Sequence, residues 1–446
     1  MSESERPPSS PANGASLRLG MGFIVPLASR WQVPGRFQHM NDFVSEVAKY
    51  RLKRRLDQAV AAIPDPGPPL VVVDLDAFDA NAGYLARRAG GKPIRLASKS
   101  IRVPALIKRA LAHPGFSGIL SYNLREALWL ASQGISDDIV VGYPSVDRLA
   151  LTRLANDAVA RRVITLMVDD PAHLDLIAEV DRVSDGQDPI RVCLDIDAGL
   201  WLGNNQIGPK RSPLRDKPDI TRLAQSATQR GLKVAGVMTY EGQVAGVPDQ
   251  LPKQGPKMAV VRRLKQASVQ QLAQRRREVL EALRGIVELE FFNAGGSGSI
   301  ESSAADPAVT EVAAGSGLLV PALFDHYASF EPRPACFFGV PVVRRPSPTL
   351  ATVAGGGFIA SGPAGKDRWP LPWAPPGLQL TALEGAGEVQ TPLSGLTAGG
   401  LKIGELVWFR HAKSGEIAEH TNTIHLLQDT QIVDSVPTYR GCGNAW

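Results

Sequence analysis

Between residues 70 and 320 the chain alternates short β-branched runs with stretches whose apolar residues recur at helical spacing. Such an alternation reads as βα units, in which strand and helix each bury one face. A first run at 70–73 passes through Asp74, Leu75 and Asp76 into a helix; further runs fall at 94–98, 118–122, 138–143, 164–168, 191–195, 234–240, 291–294 and 312–319. With the first set aside, eight remain. Helical patterns fill the gaps, as at 103–112, 124–132, 148–158 and the long 257–283. The fold class this predicts is α/β, a (β/α)8 TIM barrel whose chemistry lies at the C-terminal ends of its strands.

Beyond Tyr327 the helical rhythm stops, and strands with Gly and Pro turns follow at 339–344, 349–353, 379–390 and 401–410. They predict a smaller C-terminal antiparallel β domain, with the Pro-rich stretches 332–348 and 363–376 as loops and crossings. Upstream, Phe43, Val47, Leu52, Leu56 and Val60 recur at helical spacing over 41–62 among Lys49, Arg51, Lys53, Arg54 and Arg55. This is an amphipathic helix whose basic face is expected to be solvated. The Ser- and Pro-rich start buries too little apolar area to order itself. The division expected is a disordered tail over 1–16, an N-terminal helical extension over 17–67, a barrel over 68–325 and a β domain over 326–446.

Composition narrows the function. The 446 residues are 44% hydrophobic and 21% charged, ordinary values that exclude disordered, collagen-like and coiled-coil classes. With 49 Lys and Arg against 44 Asp and Glu, the net charge of +5 gives no basic surface for nucleic acid and leaves anionic small molecules as partners. Cys193, Cys336 and Cys442 are odd in number and far apart, so neither a disulfide framework nor a thiolate zinc site is expected. No apolar run approaches the roughly 18 residues of a membrane span, and the first residues lack the order of a signal peptide. A cytoplasmic protein is expected.

The strand ends carry the chemistry. Lys99 closes the run IRLASK, where partial desolvation favours the neutral amine that condenses with aldehydes, although a strand-end lysine can equally snorkel to solvent. The seventh strand ends in Gly295, Gly296, Ser297, Gly298 and Ser299, and the eighth carries Gly315, Ser316 and Gly317. Each cluster alone is either a tight turn or an anion cradle. Late barrel strands are the usual phosphate site of this fold, so the pair points to a phosphate held by backbone amides. A lysine facing a phosphate cradle is what pyridoxal phosphate needs.

The segments PLVVVDLDAFDAN, RLASKS, MTYEGQ, FFNAGGSGSIE and TEVAAGSGL resemble the fold-type III, alanine racemase-like pyridoxal-phosphate enzymes, in particular their D-threonine aldolase and D-serine dehydratase branch. The resemblance spans roughly residues 68–446. It implies that the strand at 70–74 joins the β domain, that Lys99 forms the Schiff base, that Gly296, Ser297, Gly298, Gly315 and Ser316 contact the phosphate, and that Tyr240 meets the pyridine nitrogen. A barrel-mouth aromatic packing on a loop is the plain alternative for Tyr240.

Two departures stand out. The branch carries His-x-Cys or His-x-Asp near its end, binding a divalent metal (zinc or manganese) that polarises the substrate β-hydroxyl. This chain has His411 followed by Ala412 and Lys413. Either the Lys413 ammonium replaces the metal's charge or another group coordinates; His420 and His425 do not follow a recognised ligand spacing. Relatives also place an arginine in a Gly-x-x-Arg-x-Gly stretch, where this chain has Leu200, Trp201 and Leu202; Arg211 could replace that charge. The resemblance implies a homodimeric lyase acting on small D-3-hydroxy amino acids, by aldol cleavage or dehydration, with Lys99 as α-proton base and His411 and Lys413 assisting at the β-oxygen. Alternatives are a racemase, for which Tyr439 or Tyr327 would have to supply a second base, a non-catalytic pyridoxal-phosphate carrier, and a cofactor-free barrel acting on phosphorylated sugars.

Overall fold

Eight parallel strands close into a barrel in chain order: Ile94–Ala97, Phe116–Ser121, Ile139–Val141, Ile164–Val168, Arg191–Asp195, Lys233–Thr239, Phe291–Ala294 and Glu311–Ala314. The architecture comes from a computed structural model, which describes residues 45–64, 67–181, 188–331 and 333–446; the tail expected over 1–16 lies outside the described residues. Each barrel strand pairs with its successor, and Val312 to Ala314 return to Ile94 to Leu96 to close the ring. Alternate side chains of the strands point inward, and Val140, Met167, Cys193, Ala235, Met238 and Phe291 fill the interior. Their outward neighbours pack against the helices in a larger core that continues into the β domain.

The strand Leu70–Asp74 is not part of the barrel. It pairs antiparallel with Cys336–Ser347 and parallel with Thr423–Gln428, so the β domain contains one parallel pair among otherwise antiparallel strands. Cys336–Ser347 is the spine of this nine-stranded sheet. Its first half pairs with Leu406–Arg410, and its second with Leu350–Ala354 after register shifts between Val342, Arg344 and Ser347.

Both Pro-rich stretches read as loops contain strands. Pro341 and Pro346 lie within Cys336–Ser347, and Pro372 within Leu371–Ala374. The latter pairs on one side only, with Leu406–Arg410, and the former is irregular where it changes partner; edges and bulges are where a residue without an N–H is tolerated. The run at 379–390 is two short strands, Gln379–Leu380 and Gln390–Ser394, and the run at 401–410 becomes a strand only at Leu406.

The helix Glu46–Val60 starts at Ser45, whose hydroxyl accepts from the Ala48 amide. Leu56, Ala59 and Val60 pack on the β domain against Val72, Phe337, Trp373, Trp408 and Leu427. The basic face is not simply solvated. Lys53 pairs with Asp57 and Glu405 at 2.6 and 2.9 Å, Arg55 with Asp74 and with Asp76, and Lys49 lies 3.9 Å over the Trp373 ring. Arg51 and Arg54 remain exposed. Among the described residues no helix is long and apolar enough to cross a membrane.

Candidate active site

Lys99 sits in the one-turn 3-10 helix Ser98–Ser100 that follows the first barrel strand. Its Nζ is half-buried and donates to Tyr143 Oη at 2.9 Å, beyond the C-terminal end of the third strand. Arg211 reaches the same place, its guanidinium 5.3 Å from the Tyr143 ring centroid and 4.9 Å from that of Tyr240, beyond the sixth strand. Four groups of opposite acid–base character thus meet at the C-terminal mouth of the barrel. Burial raises the Tyr143 phenol, but the charges of Lys99, Arg211 and Lys413 outweigh it and leave the group below its ordinary value. Tyr240 goes the other way. Burial dominates and raises it, against the pull of Arg211.

The two glycine loops touch. Ser297 Oγ of the first accepts from the Gly315 and Gly317 amides of the second, at 3.3 and 3.0 Å. Gly296 donates to Ser299 Oγ at 3.2 Å, and Ser316 Oγ exchanges a bond with Ser100 Oγ at 3.0 Å, beside Lys99. The Ser297, Gly298 and Ser316 amides donate to no acceptor among the described residues. Three unclaimed N–H groups on two touching loops suit a phosphate. Side chains are excluded there, since a Cβ at Gly315 would stand 2.6 Å from the Ala97 carbonyl and one at Gly298 would strike that of Ala245. An amine at the mouth and amides on the loops are the donor set that pyridoxal phosphate requires, and the residues present fit it.

Glu241 holds the first loop from behind. It is 1% exposed and accepts from the Gly295 amide at 3.2 Å, from Ser299 Oγ at 2.8 Å and from Ser303 Oγ. Arg276, on the long helix Gly255–Leu283, balances its charge at 3.1 Å and also reaches Asp306 and Thr239. A buried carboxylate is stable only with such compensation.

The β domain supplies the far wall. Arg410 makes a two-pronged pair with Asp325 at 2.7 and 2.8 Å. His411 is buried, with Nε2 3.4 Å from Ser414 Oγ, which in turn donates to the Ser316 carbonyl at 3.2 Å. Burial, with Arg410 adding to it, lowers this imidazole to about 3, so it is neutral. The Lys413 ammonium bonds to Ser361 Oγ at 2.7 Å, with Glu416 at 3.5 Å. Among the described residues no three His, Cys, Asp or Glu side chains are grouped to hold a metal. His420 stacks on Phe358, and His425 bonds to Ser435. A divalent metal at His411 would therefore not have three such side chains around it among the described residues.

The stretch where relatives carry an arginine forms a hairpin of Leu200–Leu202 and Asn205–Ile207. The Trp201 indole turns away to Asp197, while Arg211 brings a cation to the mouth. Tyr439 is buried with its hydroxyl donated to Glu126 at 2.8 Å, and Tyr327 is buried against Phe324, so neither phenol is exposed in this chain. Three polar residues at this end were not singled out by sequence: Tyr143, Glu241 and Asp195, whose carboxyl is pushed up to about 7 by burial and by Asp169. Their only signal was position. Each ends or follows a barrel strand, where this fold places its chemistry.

The strand-end lysine and the paired, touching glycine loops stand at the C-terminal mouth of a closed α/β barrel. Residues 73–321, more than half the chain, match the family "Alanine racemase, N-terminal domain", and the protein belongs to that family. A D-threonine aldolase from Filomicrobium marinum shares the fold with a TM-score of 0.70 and 24% identity, over 85% of this chain and 96% of that one. D-threo-3-hydroxyaspartate dehydratase from Delftia sp. HT23 gives 0.65 and 20%, over 85% and 98%. Alanine racemase from Clostridium difficile 630 gives 0.55 and 13%, over 83% and 98%. No curated protein matches the chain by sequence.

Proposed function

We propose that the protein is a pyridoxal-phosphate-dependent lyase acting on D-3-hydroxy amino acids, by aldol cleavage of D-threonine-like substrates or dehydration of D-serine-like ones. The observation that carries the reading is the Lys99 amine at the barrel mouth beside two touching glycine loops with unclaimed amides. The fold shared with a D-threonine aldolase and a D-3-hydroxyaspartate dehydratase supports the choice of substrate class.

Bound here, pyridoxal phosphate supplies an aldehyde that takes up an amine and a ring that draws electrons from the substrate α-carbon. The chain's own residues do the rest. Ser297, Gly298 and Ser316 offer amides to the phosphate, and Glu241 with Arg276 keeps the first loop in place. Lys99 provides the amine and, when free, a base for the α-proton. Tyr240, its phenol kept neutral by burial, would meet the ring nitrogen, the role that the resemblance gives it. Lys413, whose charge acts on Tyr143 across the mouth, serves the substrate β-oxygen. His411 acts through Ser414 on the second loop rather than on the substrate itself.

Cofactor-saturated protein should show a visible absorption band that borohydride abolishes while fixing the cofactor to Lys99. Lys99→Ala should show neither, and a wild-type protein without the band sinks the reading. D-Threonine should yield glycine and acetaldehyde, or D-serine pyruvate and ammonia. Turnover indifferent to chelator supports Lys413 in place of a metal. Loss restored by Mn²⁺ or Zn²⁺ overturns that assignment, and an L-amino acid product favours a racemase.

A further inference from the structure

Tyr143 is the one hydroxyl among the described residues that the Lys99 ammonium touches, and the elements around it converge on its ring. Lys99 faces it from the turn after the first strand, with Nζ 2.9 Å from Oη and 5.4 Å from the ring centroid. Arg211 faces it from the loop after the fifth strand, with its guanidinium lodged between this ring and that of Tyr240. Lys413 acts on it from the β domain, and Tyr240 lies just beyond the sixth strand, on the other side of Arg211. A guanidinium never gives up its proton under ordinary conditions, so Arg211 favours the phenolate at every working pH.

We infer that Tyr143 is a catalytic residue, the acid–base partner that takes a proton from Lys99 Nζ when the amine must act and returns it when the amine is set free. The inference rests on the reading of Lys99 given above. In the forward transfer an N–H bond of the ammonium breaks, its electron pair stays on nitrogen, and the phenolate oxygen forms an O–H bond with that proton; the reverse restores both groups. No other reactant is needed. The charges of Lys99, Arg211 and Lys413 lower the phenol and so favour the phenolate form that can take a proton.

Tyr143→Phe keeps the ring that Arg211 stacks on and removes only the hydroxyl. In cofactor-loaded protein the visible band and the borohydride label on Lys99 should persist, while kcat falls by about 100-fold with little change in KM. The rise of kcat with pH that reports the wild-type phenol should disappear. A second readout needs no cofactor: ultraviolet difference titration of the full chain, with its seven tyrosines, should show one phenol ionising below about 10. That phenol should be absent from Tyr143→Phe and should move upward in Arg211→Met. If the band forms and Tyr143→Phe retains its rate and pH profile, the role of Tyr143 is overturned and that of Lys99 stands. If the wild type forms no band, the reading of Lys99 fails first. A titration in which Arg211→Met leaves every phenol unmoved removes the coupling on which the inference stands.

Discussion

Burial keeps the His411 imidazole neutral, its pKa lowered from 6.5 to about 3 with Arg410 adding to the effect, and this makes it a pH-dependent cost to the fold. The unfolded chain takes up a proton near 6.5 and the folded one only near 3, so the contribution of the neutral ring is fully present above 6.5 and is lost as pH falls through that window. The slope approaches about 1.4 kcal/mol per pH unit. Buried acids oppose it, since Glu126 and Asp195 are both pushed up to about 7 and lose stability as pH rises toward that value. The comparison that isolates His411 is with His411→Gln, which removes the titration and keeps a group able to reach Ser414. In denaturant titrations the stability deficit of the variant should shrink between pH 6.5 and pH 3; a deficit constant across that range refutes the assignment. At this scale Lys99 and the glycine loops were legible because their chemistry is written in contiguous residues. Tyr143 and Arg211 were not legible as a pair: 68 positions separate them, and only barrel closure brings the guanidinium over the ring.

The elements were legible to the extent that periodicity is a local signal. Each of the eight barrel strands overlaps a β-branched run, because a parallel strand buried on both faces must be apolar along most of its length. The β domain was harder, since prolines mask strands that survive at edges and bulges, and the spine Cys336–Ser347 changes partner midway. The helix Glu46–Val60 illustrates a different limit. Its apolar stripe was evident, yet partners for its cations lie far along the chain, as with Glu405 for Lys53. Leu56 is fully buried between the helix and the β sheet. Leu56→Ala should therefore cost about 2–5 kcal/mol, measured as a lowered denaturation midpoint. A change below about 0.5 kcal/mol, the range of surface substitutions, would show that the helix does not dock as described.

At the scale of the whole molecule the site belongs to neither the barrel nor the β domain alone. Arg102 donates to the Lys99 carbonyl at 3.1 Å and pairs with Glu419, and Ser414 reaches the carbonyl of Ser316, so the β domain grips both halves of the proposed cofactor site. Gly415 is the tightest point of that grip. It adopts φ +87°, and a Cβ built there would run into the Lys99 carbonyl, backbone against backbone with no flexible group to yield. Gly404 provides a control in the same domain, with φ +84° and open space around the missing Cβ. Alanine at either position bears the left-handed penalty of about 1–2 kcal/mol, but only at 415 must the β domain also move away from Lys99. Gly404→Ala should lower stability by about that amount and leave pyridoxal-phosphate affinity unchanged. Gly415→Ala should lose more stability and weaken the affinity by about tenfold, the equivalent of about 1.4 kcal/mol. Paired thermal melts and cofactor titrations decide the matter: equal losses with equal affinities would mean that the domains meet without coupling, and a larger loss confined to Gly415→Ala, with weakened affinity, would mean that the β domain sets the position of the reactive lysine.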